Sequence, residues 1–488
     1  MIDAILYLGD RPELPIGEGG RVAFGKSVID AFPSRLISMV ASASDSGFEV
    51  WIGEGGAPAA SRAGPPDSAV ERVRGHRQGV KGDAVLVVVS GDEAQPSITI
   101  ARSSAGACPI YVAANGDCLV VSWRYEAAVA VLPFAKPDVA VCRLYLSKPS
   151  GQRRKQVIEG TFILWPGEAL EFSRTGLVFK EIETLPVVRA ATLTTDARVA
   201  EAFLETIAES CRPVLMSAEH PLLEISGGYD SACVGLAAAG LRSDMLSYGV
   251  VHDGAVGAQQ RARRAELVSL LGTRDVEYPA AAGSMFDFPL ETEQHLTCMD
   301  DIYRSFSSRT LASFPYELPD LVITGIGGDE LTREETFRRD PGELRGNYSS
   351  SAIAGAMTRY DVFLRRGIWV SNPLIAQDVI DFCRALPPEI RKDRLLNVLT
   401  LARAGLSDGF LFPTYAEHFG NVLLRYAVTT NFSEMFSESI VGDYGIVDVA
   451  TMLQTARYAY REGFTFKHAS EFLFLRKLEM VLRNYVTS

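Results

Sequence analysis

Residues 226–231 read Ser-Gly-Gly-Tyr-Asp-Ser, inside "PLLEISGGYDSACVGLAAAG" (221–240). "PLLEI" is a short apolar run with the look of a buried strand. "SACVGLAAAG" predicts a helix, with Gly240 as its C-terminal stop. A glycine loop between a strand and a helix is the context a phosphate-binding loop requires. Gly227 and Gly228 let the backbone approach a ligand and turn successive N–H groups inward. The following helix offers its positive end to an anion, and Ser226 and Ser231 add hydroxyl donors. Asp230 would repel a bare phosphate, but it fits as a ligand of a Mg²⁺ ion that bridges phosphate oxygens. The plainer alternative is a strand–turn–helix junction whose glycines serve geometry alone. No lysine follows the loop, so it is not of the G-x-x-x-x-G-K-[ST] type.

A second glycine loop follows in "DLVITGIGGDEL" (320–331), again after a strand-like run. Gly325, Gly327 and Gly328 predict a tight turn at the same edge of a sheet, where ligands bind in open α/β folds. Asp329 is then the candidate second Mg²⁺ carboxylate, paired with Asp230. The alternative is a solvated Asp-Glu pair at a helix start, where carboxylates are favourable in any case.

Outward from these loops the chain divides into two regions. Residues 1 to about 185 carry short β-rich runs such as "FEVWIG" (48–53), "AVLVVVSGD" (84–92) and "PIYVAANGDCLVVSW" (109–123), the last with a hairpin signal at Asn115-Gly116. A second ribbon is expected over "GTFILWPGEALEFSRTGLVFK" (160–180). The segment 181–196 lacks periodicity and reads as a linker. From 195 to 488, helices alternate with apolar runs, which suggests a parallel sheet covered on both faces. A helix is expected over "ARVAEAFLETIAESC" (197–211), capped by Thr195-Asp196, and the chain beyond about 350 reads as mostly helical. The polar stretch 332–351 reads as a mobile loop. The fold class is therefore α/β, a β-rich N-terminal domain (1–185) followed by a parallel-sheet domain (195–488).

Composition limits the function. The chain has 488 residues, 47% of them hydrophobic, and a net charge of −12, which argues against a basic nucleic-acid-binding surface. Its seven cysteines are dispersed with no C-x-x-C pair, as expected of thiols in a reducing cytoplasm. The six histidines form no metal-binding spacing. No secretory signal and no membrane span is visible, so a cytoplasmic protein is expected.

The SGGxDS pattern resembles the pyrophosphate loop of the ATP pyrophosphatase superfamily, which implies cleavage of ATP to AMP and pyrophosphate to activate a carboxylate or carbonyl as an adenylate. Combined with [ST]-G-x-G-x-D-E-L, it resembles the synthetase domain of asparagine synthetase and its relatives, β-lactam synthetase, carbapenam synthetase and the lasso-peptide cyclases. "VSNPLIAQDVIDFCRALPPEIR" (370–391) is similar to the R-x-P-F-L-D…LP-x-E segment of that family. In the N-terminal region "RSSAGACPIYV" (102–112) resembles a worn RDRxGxxPLYY, keeping Arg102, Gly106, Pro109 and Tyr111, and "IEGTFILWPGEAL" (158–170) resembles the I-x-x-x-x-P-P-G ribbon. The resemblance implies a degenerate Ntn glutaminase-like domain ahead of an adenine nucleotide α-hydrolase-like domain with a helical C-terminal part.

Departures from the family choose among its members. The second residue is Ile2 rather than the nucleophilic cysteine of a glutaminase, and no cysteine precedes Cys108. Without that thiolate no thioester route to ammonia exists. Ile326 stands where asparagine synthetase carries Glu and β-lactam synthetase Tyr, and an isoleucine can neither accept a proton nor hold ammonium. Lasso-peptide cyclases share both the cysteine-less first domain and the G-x-G-G-D loop. The family's lysine has no counterpart in "LFPTYAEHFGN" (411–421), whose nearest polar groups are Tyr415, Glu417 and His418. The proton acceptor stays open. Asp300 and Asp301, in "CMDDIYRSF" (298–306), fall where the family has an acidic segment and are further candidates.

The resulting expectation is an ATP- and Mg²⁺-dependent macrolactam synthetase that adenylates an Asp or Glu side chain of a precursor peptide and joins it to the peptide's N-terminal amine. A leader peptidase and a leader-binding protein are expected partners, with no nucleic acid and no membrane. The competing readings are an amide or lactam synthetase acting on a small molecule and an inactive nucleotide- or peptide-binding scaffold.

Overall fold

The computed structural model describes residues 1–10, 16–18, 20–44, 47–54, 82–90, 94–103, 106–149, 153–181, 198–282, 285–286, 295–299, 304–331 and 350–486. The 181–196 segment beyond its first residue, the Thr195-Asp196 cap, Asp300, Asp301 and the polar stretch 332–349 lie outside these residues.

Among the described residues the first region holds thirteen strands: β1 (Ile2–Tyr7), β2 (Ile16–Glu18), β3 (Arg21–Phe24), β4 (Ser27–Ala31), β5 (Ile37–Ser44), β6 (Gly47–Glu54), β7 (Ala84–Ser90), β8 (Ser97–Arg102), β9 (Tyr111–Asn115), β10 (Cys118–Ser122), β11 (Thr161–Ile163), β12 (Glu168–Ser173) and β13 (Gly176–Glu181). They form two antiparallel sheets, in the orders β11-β9-β10-β1-β4-β3-β2 and β13-β12-β8-β7-β6-β5. Alternation decides which residues meet. Ile2, Ala4 and Leu6 share one apolar core with Val50, Ile52, Val85, Val87, Ile98 and Ile100 of the other sheet. The intervening Trp51, Leu86 and Ala101 form a small cluster of their own. That is the period of two expected of a half-covered strand. The Asn115-Gly116 hairpin forms as expected, with Gly116 at φ +57.

The expected second ribbon is broken. Thr161–Ile163 pairs with β9 in one sheet, while β12 and β13 make a hairpin in the other. Pro166 has no N–H for a ladder, and Gly167 turns at φ +76, so the strand changes sheet there.

The second region is built on a five-stranded sheet: β14 (Pro221–Glu224), β15 (Leu246–Val251), β16 (Arg274–Pro279), β17 (Leu321–Ile323) and β18 (Trp369–Ser371). The order is β16-β15-β14-β17-β18 and every pairing is parallel. The protein is thus mixed α/β, with two antiparallel sheets, one parallel sheet and flanking helices. β18 interrupts a stretch that reads as helical, because three residues are too few to carry a strand pattern. The helix Arg198–Ser217 runs past the expected end at Cys211 and through Pro213. Burial of Val214 and Leu215 in the core compensates for the missing proline N–H.

Chain order reverses about β14, since β15 and β16 lie on one side of it and β17 and β18 on the other. The loops after β14 and β17 therefore leave adjacent strands at the same end of the sheet, the switch point where such sheets open a crevice. Among the described residues no helix is long and apolar enough to cross a membrane.

Candidate active site

The loop after β14 leads into the helix Tyr229–Ala239. Gly227 takes φ +90, which only glycine adopts without strain. The two serines lock the turn together. Ser226 Oγ and Ser231 Oγ lie 3.1 Å apart, Gly228 N–H donates to Ser226 Oγ at 3.1 Å, and Ser231 Oγ donates to Gly228 O at 3.2 Å. Gln260, on the helix Gly254–Leu271, braces the loop by donating to Ser226 O at 2.8 Å and to Val250 O at 3.0 Å. Gly240 closes the helix as expected, although its conformation is right-handed (φ −63).

The loop after β17 comes into direct contact with the first. A Cβ on Gly325 would lie 2.6 Å from Ser231 N, and one on Gly328 would lie 2.3 Å from Asp230 Cγ. The glycines at these positions are thus required by close approach, and Gly327 supplies the turn at φ +101. Ile326, at the position that distinguishes the family members, packs against the apolar core.

These loops border a cleft of about 540 Å³ whose lining includes Ser226, Gly228, Asp230 and Asp329. That size lies within the usual range for small-molecule sites. The remaining loop candidates, Gly227, Ser231, Gly325, Gly327 and Gly328, lie in the same two loops but are not part of the lining. The candidate phosphate donors and the two candidate metal carboxylates therefore meet at one place.

Two partners of the carboxylates have no signal in the sequence. Asn397 Nδ2 donates to Asp230 Oδ1 at 3.0 Å. Arg394 pairs with Asp329 and lies 3.8 Å from Asp230 Oδ2. Arg394 (φ +59) and its neighbour Asp393 (φ +51) are the non-glycine residues with positive φ among the described residues. Strain of this kind concentrates at functional sites. Here it aims a guanidinium at both carboxylates.

A cationic group between Asp230 and Asp329 shows that the donor set accepts positive charge. No cluster of three or more His, Cys, Asp or Glu side chains suited to a metal occurs among the described residues. Two carboxylates, with water and phosphate oxygens completing the shell, match what Mg²⁺ accepts from proteins that bind nucleotides. The residues fit the ion.

The far wall comes from the segment 413–419. Glu417 accepts from Arg263 Nη1 at 2.9 Å, and burial raises the pKa of its carboxyl against the pull of Arg263. His418 is exposed, with Nδ1 accepting from Gly420 N–H at 3.1 Å. His252 packs on Phe419 with ring centroids 4.4 Å apart, and burial, then the nearby His418, lowers its pKa. At the floor, Arg359 donates to Glu224 at 3.1 Å. Arg263, Arg359, Arg394 and His252 also line the cleft, and none carries a local signal in the sequence, because each reaches it from a distant part of the chain.

The motif residues of the first region are structural. Arg102 is fully buried, bonded to Asp83 at 3.1 Å and donating to Leu164 O and Cys108 O. Gly106 (φ +100) backs onto Asp83, and Tyr111 donates to Thr297 Oγ1 at 3.2 Å. Cys108 is buried, and its thiol is pushed up to about 11, so it is no nucleophile at neutral pH.

No family model matches the chain, and no curated protein matches it. Among solved structures it overlaps partially with the allosteric regulatory enzyme of purine biosynthesis (TM-score 0.24, 11% identity, 58% of this chain and 76% of that one). It overlaps likewise with glutamine phosphoribosylpyrophosphate amidotransferase from B. subtilis complexed with ADP and GMP (TM-score 0.19, 11% identity, 57% and 59%). A third is glutamine-dependent NAD+ synthetase from Acinetobacter baumannii in complex with ADP (TM-score 0.21, 13% identity, 72% and 63%). This chain thus spans less than two thirds of the length of the last two. At such TM-scores the likeness carries neither a family nor an activity to this chain.

Proposed function

We propose that the protein is an ATP-dependent, AMP-forming amide synthetase, and that its substrate is a precursor peptide closed into a macrolactam, as in lasso-peptide cyclases. The observation that carries this reading is the contact between the Ser226–Ser231 loop and the Gly325–Asp329 loop at the switch point of a parallel sheet. That contact brings Ser226, Gly228 and Asp230 of the first loop and Asp329 of the second into the lining of one cleft.

In this reading the Ser226–Ser231 loop and the start of the helix behind it hold the β- and γ-phosphates of ATP. Asp230 and Asp329 would hold Mg²⁺, which supplies positive charge to the leaving pyrophosphate. Gln260 and Asn397 keep the loop and Asp230 in place. An Asp or Glu carboxylate of the peptide attacks the α-phosphorus, and the bond to pyrophosphate breaks. The peptide's N-terminal amine then attacks the acyl carbon, and AMP leaves. Holding amine and acyl group together, rather than any special acid or base, accounts for most of the gain. A leader peptidase and a leader-binding protein would act on the same precursor.

A second reading, the same chemistry on a small-molecule acid, is favoured by the modest cleft volume of about 540 Å³. One assay separates the readings. The protein is incubated with ATP, Mg²⁺, a candidate core peptide and a leader protease. A peptide product lighter by one water supports the cyclase, whereas AMP formation only with a small amino acid supports the second reading. No AMP with any acid leaves a scaffold.

A further inference from the structure

We infer that Arg263 is a catalytic residue, the cation that holds the negative charge of the α-phosphate and acyl group during adenylation and amide formation. This rests on the amide-synthetase reading and adds the group that stabilises its intermediate.

The helix Gly254–Leu271 carries Arg263 into the cleft lining, where the residue is 5% exposed. Its guanidinium lies 5.4 Å from the ring centroid of Tyr229, a residue of the phosphate loop, and 4.6 Å from that of Phe410. Only Nη1 has a carboxylate, Glu417 Oε1 at 2.9 Å, while Nε is buried with no hydrogen-bond partner among the described residues. The two other cleft arginines are engaged elsewhere. Arg394 lies between Asp230 and Asp329, and Arg359 pairs with Glu224.

A buried guanidinium with donors left over is costly, because one carboxylate does not offset its lost hydration. The partner is itself poorly compensated, since burial raises the Glu417 pKa despite the adjacent arginine. An anion arriving beside Tyr229 takes up the donors of Arg263 that Glu417 leaves unused. Arg394 contacts the same Tyr229 ring from 5.7 Å, so two guanidiniums flank the residue that follows the glycines. One sits at the aspartates and the other at the far wall. The segment 411–421 has no lysine, but its Glu417 anchors a cation from another helix.

The chemistry uses this charge twice. In adenylation a carboxylate oxygen bonds to the α-phosphorus, and pyrophosphate leaves with the electron pair of the broken P–O bond. In amide formation the neutral amine bonds to the acyl carbon, the C–O bond to AMP breaks, AMP takes the electron pair, and the amine's proton passes to water. Both steps build charge on oxygens around the α-phosphate. A fixed guanidinium there is a preorganised donor that needs no reorganisation.

The test uses ATP and an aspartyl-sulfamoyl adenosine, a stable mimic of an acyl adenylate, as calorimetric probes of the full chain. Arg263→Gln should weaken the mimic about 100-fold while ATP affinity stays within about threefold, since one such donor is worth ~10²–10³ in rate. Arg263→Lys should recover at least about tenfold of the loss. Unchanged mimic binding by Arg263→Gln overturns the assignment and leaves the synthetase reading standing. Equal losses for both ligands with no rescue by lysine assign Arg263 to structure alone and also overturn it. A wild type that binds ATP but not the mimic, or neither, overturns the synthetase reading and this inference with it.

Discussion

Gly325→Ala tests how closely the two loops approach. The added Cβ would stand 2.6 Å from Ser231 N, 2.7 Å from Ser231 Cα and 3.0 Å from Asp230 C, all backbone atoms that cannot rotate aside. Ordinary contact begins near 3.4 Å, so the loops must part by about 1 Å. Such overpacking costs about 1–3 kcal/mol of stability. The effect on chemistry is larger, because a 1 Å misplacement of reacting groups costs about 10²-fold in rate. The assay is pyrophosphate–ATP exchange with a substrate carboxylate, alongside thermal unfolding. The expected result is exchange lowered about 100-fold, with an unfolding midpoint lower by only a few degrees. Wild-type exchange in Gly325→Ala would refute the claim that contact between the loops makes the site.

Asp230→Asn keeps the shape of the side chain and a partner for Asn397. It should lower exchange by about 10²-fold or more with no change in the circular dichroism spectrum, and an unimpaired variant removes Asp230 from the metal role. Glu54 gives a pH prediction. Its carboxyl, pushed up to about 8 by burial and then by Asp83, accepts from Trp369 Nε1 at 2.8 Å and so links β6 to β18. The folded form keeps a proton that the unfolded chain releases above the ordinary carboxylate range. Stability should therefore fall as pH rises from about 5 to about 8 and level off above that. Melting curves of Glu54→Gln should lack that part of the slope, and an unchanged slope contradicts the assignment.

The strand–loop–helix at Ser226 is written locally, in an apolar run, two glycines and a helix start, and the sequence alone defines it. The same holds for the Asn115-Gly116 hairpin, where the turn chemistry is contained in the turn. Legibility fails where the cause is distant. Gly325 looks like a turn glycine, but Ser231 is what excludes its Cβ. Arg394 and Asn397 lie in a stretch without pattern and matter only because the chain folds them onto Asp230. Glu417 could be named from its segment, but its partner Arg263 lies on another helix. Trp369–Ser371 is too short to announce a strand, and its pairing with β17 identifies it.

In the proposed reaction a carboxylate attacks the α-phosphorus of ATP bound at the Ser226–Ser231 loop. The most direct measurement follows ¹⁸O from a candidate core peptide labelled in its Asp or Glu side chain, incubated with the protein, ATP and Mg²⁺. The expected product is AMP that carries one ¹⁸O, formed together with unlabelled pyrophosphate. Label in inorganic phosphate, with ADP as the nucleotide product, would contradict it.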